Sequence, residues 1–413
     1  LYSVDEALER ILSHFSPLPA ETVPLEEAFG RVLAQPIRAA HDLPPFANSA
    51  LDGYAVRAAD VATASAEQPV LLPVSGDIPA GSFPQAPLPP QTAMRIMTGA
   101  LLPEGADAVV PVEQTDEGAS GFAMNAPPPA QVLIRAAVSA GHGVRQAGED
   151  VRAGALVLDS GRSLGAAEIG ILAGLGMAQV SVTRRPVVAI LSTGDELLPP
   201  HAPLTRGKIH DMNGLALCAA VQRLGCVPRF LGIAPDSVEA VYSRLEAAAE
   251  SDLILSTAGV SVGALAVVKE AVARRGSLSL WRVNMRPGKP LAFGTFGGVP
   301  FFGLPGNPVS ALVTFEIFVR PALLKLLGAP HANMPHAVAE VAEAMHSDGR
   351  RTFARVKLRR QPDGRLLAHS AGTQSSGAIS SLVNADGLLI IPEGVTEVPV
   401  GTQLPVRLFD QPL

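Results

Sequence analysis

Cysteine is nearly absent: among 413 residues only Cys218 and Cys226 carry a thiol, and they form no Cys-x-x-Cys pair. That excludes a disulfide framework and a structural zinc site, and both thiols read as buried and reduced in a cytoplasmic chain. An excess of positive charge is absent too. The formal net charge of -6 excludes a protein whose task is to coat nucleic acid, but not one that holds an anion in a locally basic pocket. The nine histidines show no His-x-His or His-x₃-His spacing, so neither a histidine metal hook nor a His-assisted nucleophile stands out. No signal peptide is expected, because the chain opens on an amphipathic pattern of Val4, Ala7, Leu8, Ile11 and Leu12. The uncharged run from Pro290 to Phe315 is long enough to span a bilayer. Gly303, Pro305, Gly306 and Pro308 would break a lipid-exposed helix, so it reads as buried strands and turns of a soluble protein with no membrane partner.

What is present is abundant apolar surface: 47% of residues are hydrophobic, enough for several cores, and the length suggests two to four domains. Ser3 and Glu6 form a capping box for a helix over Ser3 to His14, and a second short helix is expected near Pro24. Leu43 to about Ala140 turns to short strands and dense prolines and glycines, a β-rich insert with an exposed loop at Pro79 to Gln91. Leu164 to Leu175 reads as a small-residue helix that completes a discontinuous N-terminal unit. The expected domains are residues 1–42 with 141–184, the insert 43–140, an α/β domain over 185–328, and a small β domain over 335–413.

In the α/β domain strands and helices alternate. Strands are expected at Val187 to Leu191, Val227 to Ile233, Leu253 to Ser256 and Val299 to Phe302. Helices are expected at Asn213 to Leu224, Val238 to Glu250, Val267 to Arg274 and Val309 to Leu326. This order predicts a parallel, doubly wound sheet that binds ligands at the carboxyl ends of its strands.

Two turns there share a design. Ser256-Thr257-Ala258-Gly259-Val260-Ser261-Val262-Gly263 and Gly303-Leu304-Pro305-Gly306-Asn307-Pro308-Val309-Ser310 each follow a strand and lead into a helix. Glycines allow close backbone approach, helix-start amides attract an anion, and Ser256, Thr257, Ser261 and Ser310 add hydroxyls. The plainer alternative is a pair of tight turns. Arg282, Arg286 and Lys289, around Pro287-Gly288, supply cations for a phosphate cradle, or form a solvated basic loop. Asp195 and Glu196 end the first strand, where they fit a hard cation such as Mg²⁺, with Asp211 and Asn213 as further ligands; alternatively Asp195 only caps a helix. In the insert, Asn48 to Val56, Met94 to Ala100, and Arg145 with Gly148-Glu149-Asp150 form weaker polar turns.

In order along the chain, Asp42 to Val56, Arg95 to Gly99, Gly148 to Asp150, Ser192 to Glu196, Gly259 to Gly263, Arg286 to Pro290 and Gly303 to Ala311 resemble the MoeA family of molybdopterin molybdotransferases. The E domain of gephyrin is an animal relative. Gly372-Thr373, Asn384 to Gly387 and Pro392-Glu393 resemble that family's last domain. The resemblance implies an enzyme of molybdenum cofactor biosynthesis that inserts molybdate into adenylylated molybdopterin and releases AMP with help from Mg²⁺. It implies a homodimer, with the site between the α/β domain of one subunit and N-terminal parts of the other. A molybdopterin adenylyltransferase and molybdoenzyme maturation factors are the further partners it implies. Asp52, Thr98, Asp150, Glu196 and Asp236 match family positions tied to activity or to cation and nucleotide binding. Arg282, Arg286 and Lys289 match basic ones. Substrate contacts then fall to Ser256, Gly259, Ser261, Gly263, Pro305, Gly306, Asn307 and Ser310, and metal contacts to Asp195 and Glu196.

One departure falls at the site. Family members read Gly-Gly-Val-Ser-x-Gly followed by acid, any residue, acid, whereas this chain has Ala258, Ala264 and Ala266 at the first glycine and both acids. Two functions therefore stand: a working insertase, and a catalytically weakened paralogue that binds or delivers the cofactor. A different nucleotide enzyme on the same α/β domain fits less well, because the insert and the C-terminal domain match the insertase.

Overall fold

A computed structural model describes residues 1–118, 126–257, 262–330 and 336–409, with the backbone alone for 262–265. The chain packs as two compact units: residues 1–35, 160–166 and 179–413 form one, and 36–159 with 167–178 form the other. These cuts fall elsewhere than the four-part division expected from sequence. Residues 36–42 and 141–159 go with the insert, and the N-terminal helix goes with the α/β domain.

In the larger unit the helix Val4–Leu12 starts on the capping box read from sequence: Ser3 Oγ accepts from the Glu6 amide at 3.2 Å, and the Ser3 amide donates to Glu6 Oε2 at 2.8 Å. Its buried face, Val4, Ala7 and Ile11, joins the core that also holds Phe318 and Leu323. The second N-terminal helix is only the 3₁₀ turn Leu25–Glu27. The preceding residues, Ala20–Pro24, instead pair as a strand with Gln179–Thr183.

The α/β sheet has six strands, in the order Val227–Ala234, Val187–Thr193, Leu253–Thr257, Val299–Leu304, Pro290–Phe296, Gly276–Arg282. Alternation sorts its side chains to two cores. Val188, Ile190, Leu253, Leu255 and Phe302 face one. Ala189, Leu191, Ile254 and Phe301 face the other. The helix Asn213–Arg223 buries Leu217 and Val221 in the first core, and the helix Val238–Glu246 buries Val241 and Leu245 in the second. Both faces are thus covered, as a doubly wound sheet requires. The sheet is nevertheless mixed: the first four strands are parallel, Pro290–Phe296 runs antiparallel to them, and Gly276–Arg282 runs antiparallel to Pro290–Phe296. The cause is local. Gly297 and Gly298, at φ 58° and 87°, make a two-residue turn that can only join antiparallel neighbours. The helix expected at Val309 to Leu326 runs from Pro308 to Leu326, with a π-helical stretch at Phe315–Val319. Pro321 lacks the N–H that would continue the α-pattern there.

The C-terminal strands close on themselves. Arg351–Arg360 pairs with both Leu366–Ser370 and Gly387–Ile391, and His336–Val341 and Gln403–Leu408 complete a five-stranded ring. Closure leaves no open edge among these five, except where Met285–Arg286 adds itself beside Arg351 and Thr352. One helical turn, Ser380–Val383, interrupts the otherwise all-β region.

The smaller unit is built on a five-stranded sheet, in the order Ala108–Pro111, Gly53–Val56, Ala93–Ile96, Val70–Ile78, Gln131–Ile134. Tyr54 and Val56 face one core and Ala55 the other.

Candidate functional site

The carboxyl ends of the parallel strands open into a cavity of about 460 Å³. Glu196, Asp211, Asn213, Thr257 and the turn Pro305-Gly306-Asn307 line it. The turn is held from the neighbouring helix: Asn213 Nδ2 donates to the Gly306 carbonyl at 2.8 Å. Asp211 fastens that helix, its Oδ1 accepting from the amides of Asn213 (3.0 Å) and Gly214 (3.1 Å). Gly214 is required by close approach. A Cβ there would lie 2.6 Å from Asp211 Oδ2 and 2.7 Å from Ser192 Oγ, which no side chain tolerates.

At one edge of the cavity the strand Val187–Thr193 ends in the acidic turn. Gly194 has φ 148°, and a Cβ on it would strike the Glu196 carboxylate at 2.6 Å, so glycine lets that acid fold back over the strand end. No helix starts at Asp195, which overturns the capping alternative. Its Oδ1 accepts from the Asp236 amide at 3.1 Å, and its carbonyl accepts from Lys208 Nζ. Burial, then the charge of Asp195 and less strongly that of Glu196, pushes the Asp236 carboxyl above the ordinary range. Three acids therefore crowd one strand end, two carried by the first strand's turn and one by the next. Among the described residues, no group of three His, Cys, Asp or Glu side chains closes into a metal cage. The arrangement fits a cation held by one or two carboxylates, with its remaining positions left to water and substrate oxygens.

Arg282, Arg286 and Lys289 do not line this cavity. Arg286 joins the barrel through its strand and lines a second cavity of about 270 Å³, with Arg355, His346, Thr352 and Gln374. Arg355 is 1% exposed, and its hydrogen bonds go to neutral groups: Ser381 Oγ, the Thr373 carbonyl and the Ser375 carbonyl. Burial first, and the charge of Arg286 second, bring its pKa down to about 10. Asp348, the nearest acid to Arg286 at 4.0 Å, is engaged more closely by Arg350. Glu343, also in the lining, accepts from the Ser370 amide. Two arginines thus line one small cavity, a composition suited to an oxyanion.

Other expected positions are spread out. Arg282 and Lys289 are exposed and line neither cavity, although Pro290 lines the first. Ser256 and Ser310 are buried behind the wall rather than in it. Gly259 and Ser261 lie outside the described residues. Gly263 and Ala264 fall at the start of the helix Val262–Ala273, where only backbone is described, and Ala266 is exposed.

In the smaller unit Asp52 and Thr98 meet: the Thr98 amide and hydroxyl donate to Asp52 Oδ1 at 2.7 and 2.8 Å. They line a cavity of about 440 Å³ with Glu113. Thr98 thus orients Asp52. Asp150 is exposed on a separate turn, its amide donating to the Leu43 carbonyl at 3.1 Å. Sequence reasoning missed Arg355 and Glu113. The alternation of the strand gave no signal for Arg355, which falls in phase with the exposed Lys357 and Arg359 and opposite to Ala354, Val356 and Leu358 of the barrel core.

Comparison with known proteins agrees with this architecture. Residues 2–176 match the MoeA N-terminal region (domain I and II), 189–325 a probable molybdopterin binding domain, and 338–409 the MoeA C-terminal region (domain IV). The chain is 43% identical over 393 residues to molybdopterin molybdenumtransferase 2 of Mycobacterium tuberculosis, covering 93% of this chain and 94% of the relative. It is 35% identical over 419 residues to molybdopterin molybdenumtransferase of Haemophilus influenzae, covering 99% of each. The crystal structure of a molybdopterin biosynthesis MoeA protein from Pyrococcus horikoshii superimposes with a TM-score of 0.81 at 34% identity, over 100% of both chains. With three consecutive domains matched and near full-length identity to named transferases, this chain belongs to the MoeA family of molybdopterin molybdenumtransferases, enzymes of molybdenum cofactor biosynthesis.

Proposed function

We propose that this chain inserts molybdate into adenylylated molybdopterin and releases AMP. The observation that carries this reading is the presence, in one compact unit, of an acid-edged turn cavity and a separate cavity lined by two guanidiniums. The first suits a phosphorylated heterocycle, with the Gly306 turn bringing backbone close to it. The second suits a tetrahedral oxyanion, which guanidiniums grip through several hydrogen bonds.

Release of AMP breaks a phosphoanhydride, so charge must be neutralised as it develops on the phosphate oxygens. Asp195 and Glu196 would hold Mg²⁺ at the strand end, and the ion would supply that neutralisation. Glu196, the acid that also lines the cavity, orients the phosphate group. Asp236 sets the charge of the edge. The names of the relatives support a transferase over a binding or delivery protein. The reading includes a homodimer in which Asp52, oriented by Thr98, and Asp150 come from the partner subunit. It also includes a molybdopterin adenylyltransferase as the source of the substrate, maturation factors as acceptors of the product, and a cytoplasmic location. Among the described residues, no helix is long and apolar enough to cross a membrane.

The test is incubation with adenylylated molybdopterin, molybdate and Mg²⁺. AMP release accompanied by metal insertion is the expected result. Binding without AMP release overturns the reading.

A further inference from the structure

A cation stands at the acidic strand end without lining the cavity beside it. Lys208 Nζ donates to the Asp195 carbonyl. That carbonyl belongs to the peptide group joining Asp195 to Glu196, so the ammonium is fixed to the bond that links the two acids. Covalent geometry keeps it within roughly 10 Å of both carboxyl groups, a Debye length at moderate salt. Its position is set by backbone. The Lys208 amide donates to the Thr205 carbonyl at 3.1 Å, and the next amide, of Ile209, donates to the Glu196 carbonyl at 2.8 Å. The pairing of Leu197–Leu198 with Ile209–His210 continues that register, and Ile209 and His210 line the turn cavity with Glu196. Lys208 itself is exposed, and its hydrogen bond goes to a neutral oxygen rather than to either acid. Such a charge acts oppositely on two ligands. It repels a divalent ion held by Asp195 and Glu196, and it attracts a phosphate whose oxygens would complete that ion's shell. Neither effect needs a directed contact.

We propose that Lys208 makes cation binding at this strand end conditional on phosphate. In the free chain its ammonium weakens the hold of Asp195 and Glu196 on a divalent ion. A bound phosphate offsets the ammonium, and the ion is then retained. By linkage, the ion tightens phosphate binding to the same degree. This rests on the placement of cation and phosphate proposed above, and adds the residue that couples them. A lysine that only tethered its loop would have the opposite sign, since losing it would loosen the acidic turn and weaken the ion.

The test is calorimetric titration of the full chain with Mg²⁺, with and without AMP as the phosphate probe. The wild-type chain should bind Mg²⁺ more tightly when AMP is present. Lys208→Gln, which keeps a neutral NH₂ donor, should bind Mg²⁺ about fivefold more tightly than wild type without AMP. AMP should then add correspondingly less. Lys208→Arg, which keeps the charge, should behave as the wild type. Mg²⁺ binding that is unchanged or weaker in Lys208→Gln overturns the proposal. If Glu196→Gln abolishes the Mg²⁺ titration in the same series, the cation placement survives that failure. If Mg²⁺ binds Glu196→Gln as tightly as wild type, or fails to bind the wild-type chain even with AMP, the placement and the proposal fall together.

Discussion

The two cavities of the larger unit are opposites. The turn cavity is edged by acids, floored by glycine and proline turns, and among the described residues is lined by no lysine or arginine. The barrel cavity contains two guanidiniums, one almost completely buried, and the one acid in its lining is turned to a backbone amide. A single phosphate cradle would mix these features. On the proposed reading their separation divides the work: one surface would orient a phosphorylated ring and concentrate negative charge where a cation is needed, and the other would hold an oxyanion. The segment Arg286 to Pro290 reaches both, with Arg286 and Pro287 in one lining and Pro290 in the other.

Breaking one cavity should therefore leave the other intact. Glu196→Gln should lower AMP release by about 100-fold or more, since it removes charge stabilisation at the phosphate, while molybdate binding measured by equilibrium dialysis stays unchanged. Equal loss of both would collapse the distinction. Arg286→Ala should raise the molybdate concentration for half-saturation about tenfold through a lost charge-assisted contact. Affinity for adenylylated molybdopterin should stay within about twofold. Gly288→Ala strikes the shared segment, because Gly288 has φ 100° and a Cβ there would lie 2.5 Å from Thr314 Oγ1. It should cost about 1 kcal/mol or more in urea unfolding and weaken both functions together.

The smallest effect concerns Asp236. Its carboxyl is raised above the ordinary 3.8, so the folded chain holds this proton more tightly than the unfolded one. Its contribution is then largest at acid pH and declines as pH rises from 3.8 through the folded value. Asp236→Asn should flatten that decline and raise the neutral-pH melting temperature by about a degree. Melting curves from pH 4 to pH 8 check it; a steeper decline in the variant would contradict the assignment.

How much of this could be read from the sequence depended on the range of the interactions. Local patterns held: the Ser3–Glu6 box, the buried strand at Val187, and the glycine turn at Gly306 are set by neighbours within a few residues. The antiparallel end of the sheet was legible in Gly297-Gly298 but went unread. Arg286 and Gly306 were placed together because both flank the same strands, whereas pairing of Met285–Arg286 with Arg351 and Thr352 draws the guanidinium to the barrel. That partner lies some sixty residues downstream, and no periodicity announces it. Arg355 escaped for a related reason. It alternates in step with the exposed Lys357 and Arg359, so it looks like one more solvent-facing position until the neighbours that enclose it are known.

The capped helix at the N-terminus also carries a consequence for biosynthesis. Lys325 Nζ donates to the carbonyl of Leu12 across 313 residues of chain, and the apolar face of Val4, Ala7 and Ile11 is buried in the core that holds Phe318 and Leu323. This helix therefore leaves the ribosome some 313 residues before the residue it docks on. At roughly 10 residues per second it waits about half a minute with its apolar stripe uncovered. The intervening 36–159 unit has its own cores and can condense meanwhile. The stripe of Val4, Ala7 and Ile11 is thus a place where a nascent-chain chaperone has a long opportunity to act before the core closes.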